Sequence, residues 1–515
     1  MSARSAHNAK GSMTVFTALS MMLIASLIFA LLESARVHGM KGLATQVSIS
    51  AAESVLSGYS DWIFKNYDVF LLNGGFGEGE LSISKMDEKL LRYSTLNLDP
   101  YDDSFFGNGK NFFRMRVENA QVTEYMLATD NSGEAFRKLA VSSWSSMMLL
   151  TEAQDIYDRM SQSEEEIENM PSVDEVISDS KETVREEKKA AREARENSTD
   201  HEAMDDTYEG AKPPPNPVDT YDRFKRSSVI SLVVPRGTVL SSKRIPYFER
   251  VSERFKNHGN MRAVFEQDWI DIAVFNNYIS EHFSCYGKNK KPGMEHGLDY
   301  ELEYILGGKT SDIENLKKAV AELLLIREAA NMLYLESDSI KQEEALALAA
   351  AILAPTGVGE AAVAALEQGI LASWAFVESI LDIRALMAGR KISWIKDSVH
   401  WTTDVDSIST VLSGDACALN CENGADYEEY IQKLIYLKSR RTLSFRTMDL
   451  IEQNYRKSCG DNDFCMDNAV VAIKADYAFS FDRVFLGFVS VGNVRKGRFQ
   501  IEENTVQTYM PQRPE

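Results

Sequence analysis

The sequence predicts an α+β chain hung on one N-terminal transmembrane helix, with helix-rich extracytoplasmic domains and small β-sheets. Three observations predict this class. An uncharged apolar run fills residues 12–32. Alternating stretches near Phe112–Leu127 and toward the C-terminus read as strands. Alanine-rich segments with helical periodicity dominate the region between them.

The apolar run "SMTVFTALSMMLIASLIFALL", Ser12 to Leu32, carries no charge, proline or glycine. About 20 residues at 1.5 Å rise cross the roughly 30 Å hydrocarbon core. A cleaved signal has a shorter apolar region, about 7–15 residues, followed by small residues. This run is longer and ends in "ALLESARV", so it is expected to remain as a membrane anchor. Arg4, His7 and Lys10 precede it without an acid, whereas Glu33, Arg36 and Lys41 follow it. The positive-inside rule places residues 1–11 in the cytoplasm and the bulk of the chain outside the cell membrane. Beyond the span, Val37, Met40, Ala44, Val47, Ala51, Val55, Tyr59 and Trp62 recur in steps of three and four. That is one helical face, so the helix is expected to continue through Gly39 and Gly42 onto the outer domain.

Composition sets the remaining organisation. The chain has 515 residues, 44% hydrophobic, enough for two or three domains with sizeable cores. Its net charge of −21 argues against bulk nucleic acid or an anionic lipid surface as a partner, because both repel an acidic field. A membrane-proximal α+β domain is expected over 33–160, with strands at Phe112–Leu127 and a helix over Gly133–Met160. Residues 161–218 are rich in charge, poor in large apolar groups and closed by "KPPPNPVD", so they read as a solvated helix or disordered linker with acidic bias. A helix-rich α+β domain is expected over 219–515. It opens on "SVISLVVP", read as a buried strand, and has a helix over Trp269–Phe283. Its heart is a series of helices between Asp312 and Gly389, and it ends in the strands "AVVAIKADYAFSF" and "KGRFQIEENTVQTY". Glu360, Glu367, Glu378 and Asp382 interrupt the most apolar of these helices, which makes it a buried soluble helix.

Four of the five cysteines form close pairs, Cys417 with Cys421 and Cys459 with Cys465. On an extracytoplasmic chain these are candidate disulfide cysteines, paired locally or crossed. Their gaps of three and five residues do not fit a zinc knuckle, and no metal is expected. Cofactor fingerprints are missing as well. "LGGKTSD" has Glu303 where a phosphate loop requires glycine, and "PTGVGEAA" follows a helix rather than a strand. Asp299, Glu301, Glu303 and His296 cluster in sequence as acid–base candidates, with salt-bridged helix residues the competing reading. No catalytic residue is assigned, no cofactor is expected, and the chain is expected not to be an enzyme.

"GSMTVFTALSMMLIASLIFALLESARV", "HGLDYELEYILGGKTSDIENLKKAVAELLLIREAANMLYL", "ALALAAAILA" and "ESILDIRALMAGRKI" together resemble an uncharacterised domain-of-unknown-function family. Its members are single-pass envelope proteins of Gram-positive anaerobes, encoded near genes of tight-adherence pili and the related type II secretion apparatus. The opening is also similar, more loosely, to tight-adherence minor pseudopilins. Lys10 and Gly11 match their prepilin-peptidase motif, which makes Gly11 and Ser12 the expected processing site. Five positions on, where those proteins carry glutamate, this chain has Phe16. The resemblance implies a non-enzymatic accessory or minor-pseudopilin-like component, with the membrane and other pilus or secretion envelope proteins as partners. The alternatives are a stand-alone surface binding or adhesion module and a membrane-anchored enzyme.

Overall fold

The computed structural model describes residues 4–98, 115–145, 172–197, 213–482 (apart from 255, 264, 266–268, 289 and 291), 484 and 498–510. The chain forms two compact units. One comprises Met1–Ser143, Phe255–Glu266 and Cys459–Glu515; the other comprises Trp144–Arg254 and Gln267–Ser458. The architecture is the expected α+β.

In the first unit, helix α1 runs unbroken over Arg4–Leu56. At 1.5 Å per residue it is about 80 Å long. Gly39 and Gly42 do not interrupt it, and an added Cβ at either would meet nothing within 4 Å. The helix stops at Leu56, before Tyr59 and Trp62. Gly58 closes the last turn by donating to the carbonyl of Val55, and the Ser60 hydroxyl caps α2 (Asp61–Tyr67). Then come β1 (Leu72–Asn73), α3 (Ile83–Leu98), β2 (Met115–Leu127) and α4 (Asp130–Ser145). The expected helix beyond Ser145, through Met160, lies outside the described residues.

The sheet of this unit is antiparallel and built around β3 (Ala469–Asp482). β2 lies on one edge of β3; β4 (Arg498–Thr508) and short β1 share the other. Alternate β3 residues Ile473, Ala475, Tyr477, Phe479 and Phe481 are buried, the period of two that one covered face requires. They join one apolar core with Met86 and Leu90 of α3 and with Met40, Ala44, Val47, Ala51 and Val55 of α1. Most of the face predicted after the span is therefore the face that seats α1. Val47→Asp is expected to destabilise this unit by more than about 3 kcal/mol, because the new carboxylate has no partner in that core. Gln46→Asp, on the exposed side, should change stability by under about 0.5 kcal/mol. Limited proteolysis of the full chain reads both; equal protease resistance of Val47→Asp and wild type would refute the seating.

The second unit is helical: α5 (Val173–Asn197), α6 (Pro217–Lys225), α7 (Val229–Val233), α8 (Trp269–His282), α9 (Glu301–Gly307), α10 (Asp312–Ser337), α11 (Ser339–Leu353), α12 (Glu360–Met387), α13 (Tyr427–Tyr436) and α14 (Arg440–Cys459). α12 is the central rod, buried almost continuously from Gly369 to Leu386. α10, α11, α5 and α6 pack around it. α10 starts where Ser311 and Glu314 form a reciprocal capping box. "LGGKTSD" is the turn before it, with Gly308 in the left-handed region at φ 64°.

Three expectations are corrected here. "SVISLVVP" is not a strand. Val229–Val233 forms one helical turn, with Ile230 and Val233 buried three residues apart. A short apolar run has no readable period, so it fits either state. The expected linker contains α5, which packs along α12 through Val173, Ile177 and Ser180. Gly369 permits that approach: a Cβ there would lie 2.4 Å from the Ser180 hydroxyl. The other parts of 161–218 up to residue 171 and over 198–212 lie outside the described residues. Residues 219–515 are not one domain either. The chain from Cys459 onward belongs to the first unit, because β3 fills the centre of its sheet.

The disulfide expectation is not met. Cys417, Cys421 and Cys459 are unbridged thiols, so neither the Cys417–Cys421 pair nor the Cys459–Cys465 pair is closed. In the first pair the backbone separates the two: Ala418 donates to the carbonyl of Leu381 within α12, and Cys421 to that of Lys391 in the segment after it. In the second, Cys459 ends α14 and Gly460 turns the chain with φ 68°. Cys285 is buried, and burial pushes its thiol up, which leaves it unreactive.

Candidate functional site: anchor helix, buried carboxylates and a polar cavity

Along α1 the environment changes at Glu33. From Met13 to Leu32 the large apolar side chains are exposed: Phe16 is 71% and Met22 73% exposed. Among the described residues this is the one helix long and apolar enough to cross a membrane. Gly11 and Ser12 sit in its helical backbone. Glu33 is buried, and Arg36 binds both of its carboxylate oxygens, at 2.7 and 3.3 Å. Arg36 also donates to the carbonyl of Asp482 at 2.8 Å and lies 5.4 Å from the centre of the Phe481 ring. The charges that follow the span thus fasten α1 to the end of β3, where the apolar surface stops being bare. The arrangement is compatible with a single-pass anchor.

The acid–base candidates come together, but as a structural hub. Glu301 is fully buried. One of its oxygens accepts from the Ser284 amide and hydroxyl, both at 2.8 Å; the other accepts from Asn454 at 2.6 Å and contacts His296 Nδ1 at 2.9 Å. Glu303 accepts from the Tyr286 amide and the Tyr427 hydroxyl, both at 2.9 Å. Burial pushes its carboxyl up to about 7. Asp299 is partly buried. Burial works to raise its pKa, but the ammonium groups of Lys243 and Lys290 outweigh this and hold it at about 2. Glu301 and Glu303 thus supply hydrogen-bond acceptors to the backbone amides of Ser284 and Tyr286 in the irregular segment before α9, while Asp299 holds Lys243 and Lys290. None of the four lines the cavities described here. Among the described residues, no three His, Cys, Asp or Glu side chains meet as a metal-ligand set.

A second buried cluster was missed in the sequence, although two of its members, Glu378 and Asp382, stood out as charges in an apolar helix. Arg327 of α10 donates to Asp382 at 3.0 Å, to the carbonyls of Ser393 and Trp394, and to the Tyr430 hydroxyl. Lys396 pairs with Asp382 at 2.6 Å and with Glu378. Glu378 also accepts from the Thr402 and Thr403 amides. All four charged side chains are at most 1% exposed. Burial opposes ionisation of Asp382, yet Lys396 and Arg327 keep its pKa low. The partners lie about 50 and 15 residues away along the chain, beyond any helical spacing rule.

A polar cavity of about 380 Å³ opens between α8 and the segment 423–433. Its most buried lining residue, Asn276, is 4% exposed, and neither its amide nitrogen nor its oxygen has a hydrogen-bond partner among the described residues. Around it stand Asn277, Ser280, Glu281, Gln432 and Lys433. The cavity presents a donor and an acceptor side by side, in a wall of carboxamides.

Fold and site define a class: an α+β chain on a single apolar N-terminal helix, with a helical unit organised by buried charge. Residues 207–481 match the family of unknown function (DUF5702), and the chain belongs to that family. No curated protein and no solved structure matches it.

Proposed function

We propose that the chain is a non-enzymatic, single-pass envelope protein. Its N-terminus is cytoplasmic, its bulk extracytoplasmic, and it serves as an accessory or minor-pseudopilin-like component of a tight-adherence pilus or type II secretion-like machine. The observation carrying this reading is the continuous α1, bare and apolar over Met13–Leu32, then seated on its own sheet from Met40 to Val55. A stalk of that design delivers a folded head at a fixed height above the bilayer. It also leaves the apolar half free to pack against other transmembrane helices. Recovery of pilus or secretion proteins with the full chain from mild-detergent extracts of its native host is the expected result. A recovered chain without any such component would refute the proposed machine. N-terminal mass analysis of the same material tests processing: a mature chain beginning at Ser12 is expected if a prepilin peptidase acts after Gly11, and an intact N-terminus rejects it.

A second reading, a cell-surface binding module, is favoured by the Asn276 cavity. Paired donor and acceptor atoms at the base of a 380 Å³ space suit a neutral ligand bearing an amide or adjacent hydroxyls. Saturable binding of a neutral mono- or disaccharide by the full chain, lost in Asn276→Leu, would support it.

A further inference from the structure

The helix α5 separates its charges by face. Lys181, Arg185, Lys188, Lys189 and Arg192 follow one another in steps that place them on one side of a 3.6-residue helix. Glu182, Glu186 and Glu193 fall on another side. The basic side does not look onto open solvent alone. All five cations line one groove of about 510 Å³, whose apolar wall is Val184, Val218 and Leu366. Lys181 is neutralised by Asp222 at 2.5 Å, and Lys189 faces Glu193 loosely at 3.7 Å. Arg185, Lys188 and Arg192 have no ion-pair partner among the described residues. The same groove is lined by Ser180, 4% exposed, whose hydroxyl has no hydrogen-bond partner among the described residues. In a chain of net charge −21, three cations gathered beside a buried hydroxyl, unpaired among the described residues, are a local reversal of sign.

We propose that this groove is a binding site for a multiply charged phosphate-bearing anion. Guanidinium groups such as those of Arg185 and Arg192 present paired N–H donors that match two phosphate oxygens, and Lys188 adds a point charge. The spacing of the three along about two helical turns, roughly 10 Å, fits several linked phosphates better than one. The apolar wall fits the carbon skeleton of an ester. The acidic surface elsewhere would repel such a ligand from other sites, so occupancy should be single and salt-sensitive.

The test uses the full chain in neutral maltoside micelles, with sodium tripolyphosphate as probe and calorimetry as readout. One saturable site is expected, weakening as sodium chloride is raised. The double substitution Arg185→Gln/Lys188→Gln should weaken it by roughly tenfold for each contact removed. Glu182→Gln/Glu186→Gln, on the acidic side of the same helix, should leave it unchanged. Circular dichroism confirms that both variants retain the helical unit. Micelles doped with cardiolipin, a lipid with two phosphates, distinguish the sources of phosphate. Displacement of tripolyphosphate by cardiolipin but not by phosphatidylcholine assigns the site to a lipid headgroup; failure to displace assigns it to a soluble or polymeric phosphate. No saturable binding of either phosphate source, or equal affinity in wild type and the Arg185/Lys188 variant, would overturn the proposal.

Discussion

Asp382→Ala is expected to destabilise the helical unit by about 3–5 kcal/mol, the typical cost of leaving a buried charge without its partner. The substitution strands Arg327 and Lys396, both at most 1% exposed, with Glu378 as the remaining anion. For a unit of this size each kcal/mol moves the melting temperature by about 2–4 °C, so a fall of about 6–20 °C should be seen. Trp374, Trp394 and Trp401 lie around the network: Trp394 stacks on Tyr430 and Trp401 lies against Tyr334 and Trp374. Tryptophan fluorescence during thermal unfolding therefore reports this unit. A double-mutant cycle between Asp382→Asn and Lys396→Met should give a coupling above about 1 kcal/mol. Additive effects, or a melting temperature within 2–3 °C of wild type for Asp382→Ala, would show that water reaches these charges and that the network is not sealed.

The second large effect is a pH dependence set by Glu303. Burial raises its carboxyl from an ordinary value of 4.5 to about 7 in the folded chain. Between those values the folded state keeps a proton that the unfolded chain has released. Stability contributed by this group is therefore full below about pH 4.5, falls as pH rises, and is lost above about pH 7. At about 1.4 kcal/mol per unit, the total is about 3 kcal/mol. Glu303→Gln removes the titration while keeping an oxygen to accept from Tyr286 and Tyr427. Its new amide nitrogen takes the place of Oε2, which has no hydrogen-bond partner, so the absolute stability of the variant also carries a cost of about 1–3 kcal/mol. The discriminating readout is the slope. Urea midpoints measured from pH 5 to pH 7.5 should fall more steeply for wild type than for Glu303→Gln. Parallel slopes would show that Glu303 titrates near its ordinary value.

Much of this molecule was legible in one dimension. The apolar half of α1 could be read because length and apolarity are properties of a continuous segment, and Ser12–Leu32 has both to the extent a membrane span requires. The seated half of α1 was legible because contact with a single surface leaves a three-four repeat in the sequence. Met40, Ala44, Val47, Ala51 and Val55 of that repeat are the buried residues. Strands β2 and β3 announced themselves through alternation. The left-handed turn at Gly308 and the capping box at Ser311 and Glu314 are local devices that a few residues specify on their own.

The candidate sites were less legible, and the reason is the distance along the chain between their parts. Glu301 was visible as an acid, but its environment is made by Ser284, His296 and Asn454, brought together by three separate segments. Glu378 and Asp382 were visible as charges that exclude a membrane. What neutralises them, Lys396 and Arg327, became evident only when α10 and the loop after α12 closed on each other. Helix α5 carried its segregated charges in the sequence, yet too few large apolar residues to reveal that it packs. Its seat depends on the missing side chain of Gly369, which leaves room for the Ser180 side chain.

The sequence by itself therefore determined that the chain has a long apolar N-terminal helix, a seated half continuing from it and an α+β body, because each of these is written in the period and length of neighbouring residues. The tertiary structure decided which segments share a unit, sending the chain beyond Cys459 back to the sheet of the first one. It also decided which carboxylates are buried and paired and which cations of α5 meet in a groove. Burial and electrostatics act through space, over a few ångströms, between residues that the chain may separate by more than a hundred positions.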